Sequence, residues 1–182
     1  VQDRVREQNR LDTLPSEELR YIGHYLQQQI ELLKQQETRI NADIQQLISK
    51  DEVLKPISAR LRSIPGIGPV VTSLLIVLFS NRNFQNGSQA ASFCGLTPKE
   101  YQSGSSIEGK PRMTKRGPDY IRAGLRMSAT AVLTTKKTSP LKAFYERLIQ
   151  SGKSKPSALG ALMHKLVVVA FAIWRDNVDY IY

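Results

Sequence analysis

Along the first third of the chain, apolar residues recur at spacings of three, four or seven. They are Leu19, Ile22, Leu26, Ile30, Leu33, Ile40, Ile44 and Leu47, and Gln, Glu, Lys and Arg fill the positions between them. This periodicity predicts one long amphipathic helix, close to a coiled-coil repeat. Pro15-Ser16-Glu17-Glu18 reads as its start, with Ser16 as the N-cap and acids in the first turn. Residues 1–14, with Val5 and Leu11 among charges, read as the end of a preceding helix. The apolar stripe has to pack on something. A second copy of the chain and another helix of the same chain both satisfy it, so self-association and an internal helical hairpin are both open.

The pattern then shortens. Residues 51–62 predict a helix with Val53, Leu54, Ile57 and Leu61 inward. Ser63-Ile64-Pro65-Gly66-Ile67-Gly68-Pro69 forces a turn, and Pro69 suits the first position of a helix over Val70–Phe79. Ser88 is the expected cap of a short helix that Gly95 ends. Thr97 to Gly117 lacks helical periodicity and reads as a loop or small hairpin. Pro118 and Ser139-Pro140 open two further helices, and Pro156 opens a last one that runs to about Asp176. The predicted fold class is all-α: a long amphipathic helix, then a compact helical domain with a helix-hairpin-helix element and one irregular Ser/Gly-rich loop. The expected division is 1–50, a connector and dimerisation region, and 51–182, a DNA-binding and catalytic domain.

Composition narrows the chemistry. The chain has 182 residues and is 41% hydrophobic, enough for a core. It holds no unbroken apolar run of membrane-spanning length, so no membrane partner is expected. Its polar start shows no secretory signal, and a chain beginning at Val1 reads as starting within something longer. One cysteine, Cys94, excludes a disulfide framework, and two distant histidines, His24 and His164, offer no metal cage. No metal ligands are expected in this chain.

Charge is the strongest signal. The net charge is +10, yet residues 1–61 hold nine Lys/Arg against ten Asp/Glu, while residues 62–182 hold seventeen against six. The second part therefore carries a surplus of +11. Clustered cations of this kind point to a polyanion, DNA or RNA by default. A generally adhesive basic protein is the plainer alternative.

Two segments can meet phosphate. In the Pro-Gly-Ile-Gly turn, Gly66 and Gly68 can leave backbone N–H groups bare at a helix N-terminus, where a phosphate docks without its sequence being read. A tight corner between helices explains the same glycines. The second segment, Lys99 to Gly117, carries Ser103, Ser105 and Ser106 beside Lys110, Arg112, Lys115 and Arg116, with Arg122 and Arg126 four apart on the following helix. A hydroxyl next to guanidinium groups suits phosphoryl transfer, because cations stabilise charge developing on the non-bridging oxygens. A glycine-rich loop that only binds backbone phosphate fits the same residues. No Ser/His/Asp triad is readable, and the six acids of the basic part do not cluster.

In their order, these segments resemble a known family. Arg6-Glu7-Gln8-Asn9-Arg10-Leu11, Ile64-Pro65-Gly66-Ile67-Gly68-Pro69, Cys94-Gly95-Leu96-Thr97-Pro98, Ser103-Gly104 and Met113-Thr114-Lys115-Arg116-Gly117 with Tyr120-Ile121-Arg122 resemble the C-terminal region of insertion-sequence transposases related to the pilin-gene invertase. The resemblance implies a DNA transposase or recombinase of the bacterial cytoplasm and nucleoid. It implies Ser103 as a nucleophile that forms a phosphoserine link to DNA, with Ser105 and Ser106 the less favoured neighbours. It also implies an N-terminal domain, folded like a Holliday-junction resolvase, whose DEDD carboxylates hold Mg²⁺; the chain has no counterpart of it and no cofactor of its own. Expected partners are DNA, further copies of the chain and, as in some members, a guide RNA. A non-catalytic helix-hairpin-helix module for DNA binding and dimerisation is the alternative.

Overall fold

The computed structural model describes residues 1–99 and 112–181. Among them the chain forms eight helices and one two-residue strand pair: α1 (Gln2–Thr13), α2 (Ser16–Lys50), α3 (Leu54–Ser63), α4 (Pro69–Ser80), α5 (Gly87–Phe93), β1 (Pro98–Lys99), β2 (Arg112–Met113), α6 (Asp119–Thr134), α7 (Pro140–Gln150) and α8 (Lys155–Asp176). The all-helical class matches the expectation. The chain separates into two compact units, 1–50 and 51–182.

In the first unit α1 and α2 pack together, joined through Leu14 and Pro15 as a hairpin. Leu11 lies near Gly23 of α2, and Arg4 Nε donates to Glu37 Oε2 at 3.0 Å. Leu26 and Ile30 are buried, whereas Ile40 is 58% and Leu47 70% exposed. The stripe is therefore divided: its first part belongs to the internal hairpin, and part of its continuation stays open. The start of α2 differs slightly from expectation. Ser16 is already helical, and the Leu19 N–H donates to the Pro15 carbonyl at 2.9 Å. Proline suits the cap because it has no N–H to leave unpaired.

The second unit is built on α8. That helix packs against α3, α4, α5, α6 and α7 and buries Ala158, Leu162, Met163, Leu166, Val167, Ala170, Phe171 and Ile173. Its N-terminal half carries small residues that let neighbours approach closely. Near its C-terminal end the rings of Phe79 and Phe84 meet Phe171 at centroid distances of 5.5 and 6.3 Å, and Phe79 meets Trp174 at 5.7 Å. Contrary to expectation, α8 is long and apolar enough to cross a membrane by length and hydropathy. His164 and Lys165 interrupt the run in sequence, but the mean hydropathy over an 18-residue window stays at 1.7. Burial by neighbours on several sides accounts for that apolarity.

Local capping corrects one assignment. The short helix α5 is capped not by Ser88 but by Asn86, whose side chain accepts from the Gln89 N–H at 2.9 Å, while Gln89 Oε1 accepts from the Gln85 N–H at 2.9 Å. The reciprocal pair satisfies two exposed donors where a single serine satisfies one. Ser139 caps α7 as expected, accepting from the Lys142 N–H at 3.2 Å.

The central place of α8 makes a stability prediction. Leu166→Ala, at a fully buried position of α8, is expected to cost about 2–5 kcal/mol. Val77→Ala, at a position of α4 that is 57% exposed, is expected to cost within about 0.5 kcal/mol. Urea unfolding of both variants checks this; equal losses contradict the assignment of α8 as the core helix.

Candidate functional site

The site grows from the end of α5. There the Gly95 N–H donates to the Ser92 carbonyl at 2.8 Å and the Leu96 N–H to the Ala91 carbonyl at 3.0 Å. Gly95 has φ +71°, the left-handed closure that glycine accepts most readily. The chain then turns into β1. Its antiparallel partner β2 pairs Pro98 with Met113 and Lys99 with Arg112. Two more bonds extend the ladder: the Thr114 N–H donates to the Thr97 carbonyl at 2.9 Å, and the Lys115 N–H to the Gly95 carbonyl at 3.1 Å. Of the two readings of Thr97–Gly117, the base of a small hairpin is what the described residues form.

The two segments touch backbone to backbone. A Cβ on Gly95 would collide with the Arg116 carbonyl, and one on Gly117 (φ +112°) with the Phe93 carbonyl. Each segment thus supplies a glycine at the point where the other passes. Lys115 has φ +53°, an uncommon conformation for a residue with a side chain, and its side chain and that of Arg116 are exposed. From α6, Arg122 reaches back: its Nη1 donates to the Gly117 carbonyl at 2.7 Å and to the Cys94 carbonyl at 3.3 Å. One guanidinium nitrogen spans both sides of the crossing.

The residues proposed for chemistry are distributed around this crossing. Ser103, Ser105, Ser106 and Lys110 lie outside the described residues, as does the side chain of Arg112. They fall in the stretch that leaves from β1 and returns to β2. Lys115 and Arg116 stand exposed on the return segment, and Arg126 is exposed on α6, one turn beyond the half-buried Arg122. Gly66 and Gly68 belong to a different corner, between α3 and α4. Gly66 has φ +83° and faces α6, where a Cβ would collide with the Ser128 carbonyl. Close packing alone asks for glycine at 66. Gly68, the N-cap of α4, meets no neighbouring atom on its Cβ side.

Beside Gly66 is an open cleft of about 680 Å³, lined by Pro65, Gly66, Ala131, Thr135, Lys137, Thr138 and Ser139. The sequence reading passed over Thr135, Lys137 and Thr138. The available signal was the run Thr134-Thr135-Lys136-Lys137-Thr138 between two helices, rich in hydroxyls and cations. Lys142 Nζ donates to the Thr135 carbonyl at 3.0 Å and so neutralises the C-terminal end of α6.

Two titratable groups lie in the fold without reactive character. Cys94 is fully buried, and desolvation pushes its thiol up to about 11, against an opposing effect of Arg122. A neutral buried thiol is a poor nucleophile. Burial, and then the neighbouring Lys165, hold His164 below the ordinary imidazole range, so it is uncharged at neutral pH.

With this geometry described, comparison with known proteins is direct. Residues 58–146 match the sequence profile of the "Transposase IS116/IS110/IS902 family". The matched segment runs from α3 into α7 and contains the α3–α4 corner, the glycine crossing and α6. The pilin gene-inverting protein of Moraxella lacunata is 30% identical over 158 residues, 86% of this chain and 49% of that protein. A putative transposase of Sinorhizobium fredii is 33% identical over 130 residues, 68% of this chain and 32% of that one. The insertion element IS110 uncharacterized 43.6 kDa protein of Streptomyces coelicolor is 30% identical over 126 residues, covering 69% of this chain and 30% of its own length. The chain spans about half the length, or less, of these curated relatives. Residues 58–146 are thus similar to a transposase segment of the IS116/IS110/IS902 kind.

The buried cysteine gives this site a direct check. In the native protein at pH 8, Cys94 is expected to react with a chromogenic disulfide reagent at least about a hundredfold more slowly than after denaturation, because both access and thiolate are suppressed. Rapid native labelling would show that the end of α5 is not closed as described.

Proposed function

We propose that the chain is the part of a DNA transposase or recombinase that holds the DNA strand and supplies its serine nucleophile. The observation that carries this reading is the position of the family match: it centres on the crossing from which the Ser103–Gly104 stretch departs, amid a surplus of cations. In the proposed step the Ser103 hydroxyl oxygen attacks a backbone phosphorus and loses its proton. A Ser–O–P bond forms, the P–O bond to the leaving sugar oxygen breaks, and that oxygen takes up a proton. Attack by a second DNA hydroxyl on the phosphoserine reverses these changes and joins strands. Lys115, Arg116 and Arg126, with Lys110 and Arg112, offset the charge on the phosphate oxygens.

Mg²⁺ has no fitting donor set among the described residues. Among the described residues no group of three or more His, Cys, Asp or Glu side chains is placed to hold a metal ion. No step is therefore drawn through a metal here. The carboxylates that the family resemblance implies belong to an N-terminal domain of the longer protein. A guide RNA is a further partner in this proposal, since the basic surface binds either polyanion. Self-association is proposed for the part of α2 that carries Ile40 and Leu47, whose apolar side chains are open in the hairpin.

A second reading, a DNA-binding module without chemistry, draws support from the α3–α4 corner. There the open N-terminus of α4 at Gly68 and the cation-bearing cleft beside Gly66 offer phosphate contacts without a nucleophile. A covalent adduct separates the two. In the full reading frame containing this chain, Ser103→Ala is expected to abolish strand cleavage and phosphoserine formation. DNA affinity and its salt dependence should stay unchanged. Denaturing gels and mass spectrometry of trapped adducts check this. An active Ser103→Ala protein, or an adduct at Ser105 or Ser106, contradicts the assignment of Ser103. A wild-type protein that binds DNA with a steep salt dependence and forms no adduct supports the second reading.

A further inference from the structure

We infer that Arg122 is a positioning residue for the crossing of Cys94-Gly95 with Lys115-Arg116-Gly117 and not a phosphate ligand. Its expected effect on cleavage rests on the proposed reading that Ser103 is the nucleophile. Sequence pattern places Arg122 and Arg126 together on one face of α6, as two equivalent cations. The structure separates them. Arg126 is exposed, whereas Arg122 is half-buried and its Nη1 is engaged by the Gly117 and Cys94 carbonyls at 2.7 and 3.3 Å.

Those two acceptors are the two sides of the crossing. Cys94 closes α5 just before the outgoing segment, and its carbonyl lies at the helix end, where a cation is favoured and an unpaired acceptor is costly. Gly117 ends the returning segment, directly before α6. The donor itself is held firmly, because its chain neighbours on α6, Ile121 and Leu125, are buried at 4% and 0% exposure. Arg122 therefore ties both sides of the crossing to the core through one guanidinium nitrogen. Contact of Nη1 with a phosphate would have to displace a charge-assisted bond to a carbonyl. Lysine keeps the charge, but its flexible stem does not hold the donor in a fixed plane.

Three measurements on Arg122→Ala, Arg122→Lys and Arg126→Ala test this in the full reading frame: amide exchange at Thr114 and Lys115, the salt slope of binding to a labelled duplex, and the single-turnover cleavage rate at saturating DNA. Both Arg122 variants are expected to speed exchange at Thr114 and Lys115 by about tenfold or more, with amides in the middle of α8 unaffected. They should leave the salt slope unchanged and slow cleavage by about tenfold without weakening binding. Arg126→Ala should do the opposite at the first two readouts, lowering the slope by about 0.9 with exchange unchanged. If Arg122→Ala lowers the salt slope with no change in exchange, Arg122 is a phosphate ligand and the inference fails. Exchange and slope do not depend on which residue is the nucleophile. A failure of Ser103 as nucleophile would thus appear in the Ser103→Ala protein and leave these two readouts untouched. Should Arg122→Ala not fold, Arg122→Gln decides: it keeps an N–H₂ donor for the carbonyls but removes the charge, so an unchanged salt slope supports the inference and a slope lowered by about 0.9 overturns it.

Discussion

The second unit depends on one close approach, the passage of Lys115-Arg116-Gly117 over Cys94-Gly95. Two backbones come nearer there than a Cβ permits. The chain meets this with a glycine on each side, at 95 and at 117, both in conformations that favour glycine. Several features follow from that contact. The Lys115 N–H reaches the Gly95 carbonyl, and two paired residues continue the ladder. α5 and α6 are joined at their facing ends. The stretch that carries Ser103 leaves from and returns to a fixed base. The separated segments on which the resemblance rests, Cys94-Gly95-Leu96-Thr97-Pro98 and Met113-Thr114-Lys115-Arg116-Gly117 with Arg122, are then the parts of one physical joint.

Behind the joint stands α8, which touches every other helix of the unit. A helix apolar over most of its circumference is costly to leave in water and gains most when surrounded. This arrangement gives the short helices α5 and α7 a surface to pack on, which their own length does not secure, since short isolated helices are marginal in water. Among the described residues Lys115, Arg116 and Arg126 are exposed on the same frame, so their charge is presented without being buried.

Much of this was legible in sequence. The long apolar stripe of α2, the Pro69, Ser139-Pro140 and Pro156 helix starts and the Gly95 stop are local signals, and the helices formed where those signals stand. What was not legible depends on distance in three dimensions. The cap of α5 passed from Ser88 to Asn86 because a reciprocal pair with Gln89 outcompetes a lone hydroxyl. Hydropathy of α8 was hidden by His164 and Lys165, which break the apolar run but leave the mean of an 18-residue window high. The face shared by Arg122 and Arg126 was read correctly as periodicity, but periodicity does not say which of them reaches a carbonyl 28 residues away in sequence. Gly66 looked like a phosphate cradle, and packing against Ser128 gives it a sufficient reason of its own. The division of the α2 stripe between α1 and open surface also lay beyond pattern alone, because both readings use the same residues.

The central claim is that the crossing demands glycine by contact, and not only by backbone angle. Gly117 and Gly152 separate these effects, since both have positive φ, +112° and +85°, but a Cβ at 152 meets nothing within 4 Å. Equilibrium unfolding of Gly117→Ala beside Gly152→Ala measures the difference directly. The account predicts a loss of about 1–2 kcal/mol for Gly152→Ala from the backbone angle, and a further 1–3 kcal/mol or more, on the order of an overpacked core, for Gly117→Ala. Equal losses at the two positions would contradict it.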